Sequence, residues 1–188
     1  MRMLVLGVVI ALASRAVGQP AITIEVDQPV LMPSESTTIT LWAGHDPSEW
    51  AMAFVETDFV SSQGARGLSD WRLVEPMNGP GTQPGSAAAT GIEGILAGQL
   101  NCPPCGTMGT NPIAFWSATY TAPSDVLPLD VRLSTLTSRF DVYPSRDSVF
   151  GESRLGDLVA GEATIRVVPA PAGALVIGSG VLLGRRRR

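Results

Sequence analysis

Hydrophobic and polar residues alternate with a period of two in several short runs of the chain. The apolar members of these runs are Ile22, Ile24, Val26, Ile39, Leu41, Leu127, Leu129, Val131, Leu133, Phe140, Val142, Ala163, Ile165 and Val167. Such alternation is typical of β-strands that bury one face and expose the other. Residues 50–60 and 113–121 are rich in aromatic and β-branched side chains and are also predicted as strands.

Turn-forming residues separate the predicted strands. Clusters of Gly, Pro, Asn, Asp and Ser occupy residues 29–34, 44–48, 78–86, 102–112, 123–125 and 144–147. This spacing predicts about eight or nine short strands. A sustained helical periodicity is missing from the sequence, although residues 86–97 have room for one helical turn. We therefore predict an all-β fold, an antiparallel β-sandwich of the Ig-like or jelly-roll kind.

The start of the predicted domain resembles a known family. In residues 32–41, a turn at Pro33 precedes a Thr-rich second strand, and this order is similar to the opening of cohesin-like sandwich domains. The resemblance is confined to these residues. It supports the sandwich prediction, and cohesin-type binding is not carried over from it.

The N-terminus has the parts of a secretory signal peptide. Arg2 is followed by an apolar run at residues 4–13 and by a small-x-small site that ends at Gly18. The run is shorter than the roughly 20 residues that a stable membrane-spanning helix needs. We predict a signal peptide at residues 1–18 with cleavage after Gly18, and a sandwich domain at residues 19–168.

The C-terminus has a second targeting pattern, in which a proline pair precedes a short apolar run and a basic cluster. The pair is formed by Pro169 and Pro171, with Ala170 between them, and the apolar run covers residues 173–184. The basic cluster is Arg185, Arg186, Arg187 and Arg188. Under the positive-inside rule these arginines stay on the cytoplasmic side, which places the sandwich outside.

This pattern resembles the PEP-CTERM sorting tail of exported bacterial proteins, with Ala170 in place of the family's Glu. The resemblance implies that residues 169–188 insert transiently in the membrane. It also implies that an exosortase, a membrane cysteine protease, removes them during export. Such proteins are often associated with extracellular polysaccharide, so the resemblance implies a cell-surface or matrix location. A plain C-terminal membrane anchor is the alternative.

The charge of the central region argues against a nucleic-acid partner. All 13 basic residues are arginine, and residues 21–168 hold seven of them against all 17 acidic residues, a net charge of −10. An acidic surface repels phosphate backbones.

Cys102 and Cys105 form a C-P-P-C motif. In redox enzymes such a motif opens a helix that lowers the pKa of the first thiol, but Gly106 and Pro112 disfavour a helix here. A metal site would need two further ligands, for which only His45 and carboxylates remain. In an exported protein we therefore predict a disulfide between the two cysteines, with redox catalysis and metal binding as alternatives.

No catalytic residue is predicted. His45 lies in a turn that we expect to be solvated, and the chain has no G-x-S-x-G nucleophile motif. The carboxylates Asp130, Asp141 and Glu162 are expected on solvated strand faces or turns, although paired carboxylates of a glycosidase follow no spacing rule that would exclude them.

We expect no cofactor and no metal. A structural calcium ion held by loop carboxylates such as Asp141 and Asp147 is the alternative, although the chain has no EF-hand loop.

The four tryptophans are expected mainly in the core, with a sugar-stacking platform as the alternative. They are Trp42, Trp50, Trp71 and Trp116.

Taken together, the sequence predicts an exported, non-enzymatic structural or adhesive domain at the cell surface. A carbohydrate-binding module is the second hypothesis, and an unrecognised hydrolase is the third.

Overall fold

The structure is a computed structural model that describes residues 19–100, 110–125 and 128–169. This part of the chain forms eleven strands and one short 3-10 helix, Leu155–Asp157. The strands are β1 (Ala21–Val26), β2 (Val30–Leu31), β3 (Ser36–Gly44), β4 (Ala51–Ser61), β5 (Leu68–Leu73), β6 (Gln83–Ala87), β7 (Gly91–Gly98), β8 (Ile113–Thr121), β9 (Leu129–Tyr143), β10 (Glu152–Ser153) and β11 (Glu162–Val167).

The strands form two sheets that pack face to face. The first has four strands in the order β1-β3-β8-β5. The second has seven, in the order β2-β11-β9-β4-β7-β6, with β10 paired to β9. The described strands pair antiparallel except β2 and β11, which are parallel. The predicted β-sandwich is therefore confirmed, with one parallel pair added.

The alternating runs supply the core between the sheets. Ile24, Leu41, Val131 and Ile165 are all buried, as their alternation predicts, and their polar neighbours face outward. Phe59 of the seven-stranded sheet and Trp116 of the four-stranded sheet have ring centroids 5.2 Å apart, so an aromatic pair joins the two sheets. Leu127 lies outside the described residues.

Two segments differ from the predicted elements. The runs that end at Leu133 and begin at Phe140 belong to one strand of 15 residues, β9. Residues 83–87 and 91–98, which we expected as a turn and a possible helical turn, form the hairpin β6–β7. β6 lies at the sheet edge, where its Pro84 removes no needed ladder donor. It is a strand because β7 pairs with it, not because its own residues are buried.

The chain enters and leaves the sandwich at opposite ends. We call the end at which β4 begins and β9 ends the upper end, and the end at which β8 and β11 finish the lower end. Ala21 of β1 pairs with Gly44 at the upper end, and Val167 of β11 pairs with Leu129 at the lower end.

The predicted targeting residues fall almost entirely outside the described part of the chain. Pro169 is its last residue, whereas Gly18, Ala170, Pro171 and the arginines at residues 185–188 lie beyond it. Within the described ranges, no helix has both the length and the apolar character required to cross a membrane.

Candidate functional site

His45, Trp50 and Asp141 all lie at the upper end of the sandwich. The chain leaves β3 at Gly44 and turns through residues 45–50 into β4. The backbone N–H of Trp50 donates to the carbonyl of Tyr143, the last residue of β9, at 2.8 Å. The short turn therefore holds Trp50 beside the end of β9.

His45 is buried, so its expected solvation is wrong. The residue is 7% exposed. Asn111, which precedes β8, is bonded to its backbone: the Asn111 amide donates to the His45 carbonyl at 2.8 Å, and its oxygen accepts from the His45 N–H at 3.1 Å. The ring Nδ1 lies 2.9 Å from the Asp46 carbonyl. Within the described residues, the contacts of this ring include no Ser or Cys nucleophile.

The buried carboxylate of Glu49 stabilises the turn that leads to Trp50. Glu49 accepts from Nε of Arg154 at 2.5 Å and from the Asp46 N–H at 3.1 Å, and its Oε2 lies 3.8 Å from His45 Nδ1. The bond to Glu49 raises the pKa of Arg154, which keeps the guanidinium charged. The pair thus ties the turn to the chain that follows β10. No sequence signal links two residues 105 positions apart.

Asp141 is also buried, which contradicts the prediction that it lies on a solvated face. The chain folds back over this part of β9, so that a Cβ added at Gly151 would lie 3.0 Å from the Asp141 Cβ and 2.8 Å from that of Ala53. The Asp141 carboxylate accepts from Arg139 Nε at 2.5 Å. Asp130 and Glu162 are exposed as predicted.

The alternative of a structural calcium ion finds no assembled ligand set. Asp147 is exposed in the loop after β9, whereas Asp141 faces Arg139. In the described ranges, no three His, Cys, Asp or Glu side chains come together in a way that would hold a metal ion.

An apolar patch is exposed beside the braced turn. Phe150 is 83% and Val149 77% exposed, and Trp50 is 40% exposed. The guanidinium of Arg146, from the same loop as Phe150, lies 6.0 Å from the centroid of the Trp50 ring. We call these four residues the Trp50 patch. Exposed large apolar side chains together with Trp and Arg are typical of surfaces that bind another macromolecule.

The other tryptophans do not extend this patch. Trp116 is fully buried, which confirms the core prediction for it, and its Nε1 donates to the Pro84 carbonyl at 3.0 Å. Trp71 donates to the Gly85 carbonyl at 3.3 Å, and Trp42 to the Glu25 carboxylate at 2.7 Å. The four rings therefore form no common sugar-stacking platform.

Cys102 and Cys105 lie outside the described residues, between β7 and β8. We expect them to be bonded in the exported protein. The closed loop is so short that the gain in stability should be smaller than the roughly 3 kcal/mol of a 15-residue loop. Labelling the native protein with a thiol reagent should modify neither cysteine, whereas labelling after reduction should modify both. Two reactive thiols before reduction would contradict the disulfide.

Comparison with known proteins identifies the fold. No family model matches the sequence, and no curated protein matches it. Solved structures of cohesin modules do match. The seventh ScaB type I cohesin of Pseudobacteroides cellulosolvens is 12% identical with a TM-score of 0.55, and the match covers 79% of this chain and 92% of that one.

Two further matches agree. A cohesin from Clostridium thermocellum, solved as the Coh-OlpA-Doc918 complex, is 11% identical with a TM-score of 0.53 over 80% of this chain and 99% of that one. The cohesin module of a Clostridium perfringens family 33 glycoside hydrolase is 11% identical with a TM-score of 0.50 over 81% and 99%. The fold is therefore the jelly-roll β-sandwich of cohesin modules, in agreement with the resemblance of residues 32–41.

Proposed function

We propose that this chain is an exported, non-catalytic docking module of the cell surface, which binds another protein through the Trp50 patch. The observation that carries the proposal is the exposed patch on a cohesin-like sandwich. One of the matched structures is a cohesin–dockerin complex, that is, a sandwich of this fold bound to a protein.

The chemistry of the patch suits a partner with an apolar groove edged by acidic groups. Phe150 and Val149 project apolar surface into solvent from the loop that also carries Arg146, and the Arg146 guanidinium lies over the Trp50 ring. Aromatic and arginine side chains dominate binding energy when a partner encloses them and excludes water. The ion pair of Glu49 with Arg154 fixes the turn that carries Trp50. Less conformational entropy is therefore lost when a partner binds.

The docking proposal predicts a site-specific cross-link. A photo-reactive phenylalanine analogue in place of Phe150, in the full chain expressed in its native cells, is expected to cross-link to one extracellular protein of discrete mass. The matched control places the same analogue at Val30, which is exposed at the lower end. Trp50→Ala in the Phe150 probe should abolish the cross-link. Equal products from both positions, or none from either, would contradict the proposal.

The export route belongs to the same proposal. The predicted signal peptide at residues 1–18 starts translocation, and residues 169–188 sort the protein through an exosortase into a surface or polysaccharide matrix. Because β11 ends at the lower end and residues 168–172 reach at most about 17 Å, the tail holds the lower end against the membrane as long as it is inserted there, that is, until it is cleaved. β9 extends about 50 Å in the opposite direction, so the Trp50 patch faces away from the membrane.

The tail makes a prediction of its own. The apolar run at residues 173–184 covers only about 20 Å as a helix, against a hydrocarbon core of roughly 30 Å, so it suits transient presentation to a protease better than permanent anchoring. Mass spectrometry of the mature protein should find that residues 173–188 have been removed. Replacing the four terminal arginines with Ser should stall sorting and leave the sandwich folded. An intact Arg188 on the surface protein, or normal sorting of the Ser variant, would contradict the sorting role and favour a plain membrane anchor.

A further inference from the structure

A cavity of about 560 Å³ opens at the lower end of the sandwich, opposite the Trp50 patch. It lies between the turn after β4, which contributes Gln63, Arg66 and Gly67, and the end of β8, which contributes Tyr120. Its volume is within the range of small-molecule sites, which runs from about 300 to 1,000 Å³.

The cavity wall includes Tyr120, whose buried hydroxyl has no partner among the residues that the structure describes. Tyr120 is 1% exposed, and its ring lies against Gly67, where an added Cβ would be 3.0 Å from the Tyr120 Cε2. Among residues 19–100, 110–125 and 128–169, none hydrogen-bonds to its hydroxyl. Burial raises the pKa of this phenol, so it remains a neutral donor. A buried hydroxyl without a partner is costly, which makes an external partner favourable.

The rim of the cavity carries an ion pair, so that its two charges cancel. One nitrogen of Arg66, Nη2, donates to both carboxylate oxygens of Asp125, at 2.7 and 2.8 Å. The Nη1 and Nε groups of Arg66 are left for a ligand, as is a remaining lone pair of the Asp125 carboxylate, which also accepts from its own backbone N–H. Ser34 and Ser124 add hydroxyls to the lining.

We propose that this cavity binds one uncharged sugar unit of an extracellular glycan. Sugar hydroxyls both donate and accept, so a single ring can accept from Tyr120 and Arg66 while it donates to Asp125. An anionic sugar is disfavoured because Asp125 already neutralises Arg66 and because residues 21–168 carry a net charge of −10. The inference does not rest on the docking proposal, since the two sites are at opposite ends.

The test is a titration of the full-length protein with named sugars, followed by NMR or calorimetry. The probes are the methyl glycosides of glucose, galactose, mannose and N-acetylglucosamine. Glucuronate is the anionic sugar used for comparison. We expect saturable binding of at least one neutral glycoside at millimolar or lower concentration and none of glucuronate. A linear tetrasaccharide of the same sugar that binds no more tightly than the glycoside would show that one ring fills the site.

Matched variants locate the binding. Tyr120→Phe removes only the hydroxyl and should weaken binding about tenfold. Tyr143→Phe removes the hydroxyl that donates to the Gln99 carbonyl at the upper end and should leave sugar binding unchanged. Arg66→Met should weaken binding as Tyr120→Phe does, and thermal melts of all three variants check that they are folded. No saturable binding by any neutral glycoside, or equal affinity in the wild type and Tyr120→Phe, would overturn the proposal.

Discussion

Replacing Val131 with aspartate is expected to unfold the sandwich. Val131 is fully buried in β9, and β11 pairs with it through Ile165. The substitution removes apolar contact from the core and leaves a carboxylate there without a partner, which costs more than about 4 kcal/mol. Domains of this size are stable by only about 5–15 kcal/mol. Circular dichroism and urea unfolding of the variant should therefore show loss of the native β-sheet signal or a severely lowered midpoint.

Arg132→Ser is the matched control one residue along the same strand. The Arg132 side chain is exposed. Its backbone N–H donates to the Ser62 hydroxyl, and the substitution leaves this bond in place. We expect a change in the free energy of unfolding within about 0.5 kcal/mol. Equal losses for the two variants would mean that the two faces of β9 are not distinguished as the structure has them.

The contrast between Val131 and Arg132 also shows why much of this fold is predictable from sequence. Burial in a sandwich follows the two-residue period of the strand, so the alternation that contains Val131 and Ile165 records which face meets the other sheet. β6 follows no such pattern. Its Pro84 and Gly85 are typical of a turn, and its strand conformation depends on the backbone bonds that β7 offers.

The upper end was harder to predict because its burial comes from distant segments. His45 lies in a sequence typical of a solvated turn, and Asp141 occupies the outer face of a strand. Asn111 is bonded to the backbone of the first, and the chain at Gly151 covers the second. The local alternation of hydrophobic and polar residues does not indicate which distant segment will fold over a residue. The sequence therefore predicts the turn at His45 and the polar strand face at Asp141, but it does not predict that other segments bury both residues.

The lower cavity follows the same rule. The apolar alternation of β8 places Tyr120 on the core-facing side, together with Trp116, and the sequence predicts that much. The close packing of its ring depends on Gly67, more than fifty residues earlier, and the rim of the cavity depends on an ion pair between Arg66 and Asp125 that links two separate turns. Nothing in the sequence around Tyr120 indicates either feature.

Gly91→Ala is expected to be the second severely destabilising substitution. Gly91 begins β7 with a φ of +149°, a conformation that L side chains rarely adopt. A Cβ added there would lie 2.0 Å from the carbonyl oxygen of Phe59 in β4, a backbone atom in a central strand of the sheet that cannot rotate away. Backbone strain and overpacking together should cost roughly 3–5 kcal/mol of unfolding free energy, measured by urea denaturation.

Gly81→Ala is the control for a glycine with positive φ and no clash. Gly81 has a φ of +82°, yet an added Cβ meets nothing within 4 Å. This variant therefore carries the cost of the backbone conformation alone, about 1–2 kcal/mol. The difference between the two variants contains the clash of the Gly91 Cβ with Phe59 together with the higher backbone cost of φ +149°, and it should be at least as large as the Gly81 effect itself. If the two substitutions cost the same, β4 and β7 are not packed as tightly at Phe59 as the register of the sheet requires, because a strand that can shift by about an ångström would accommodate the methyl group without loss.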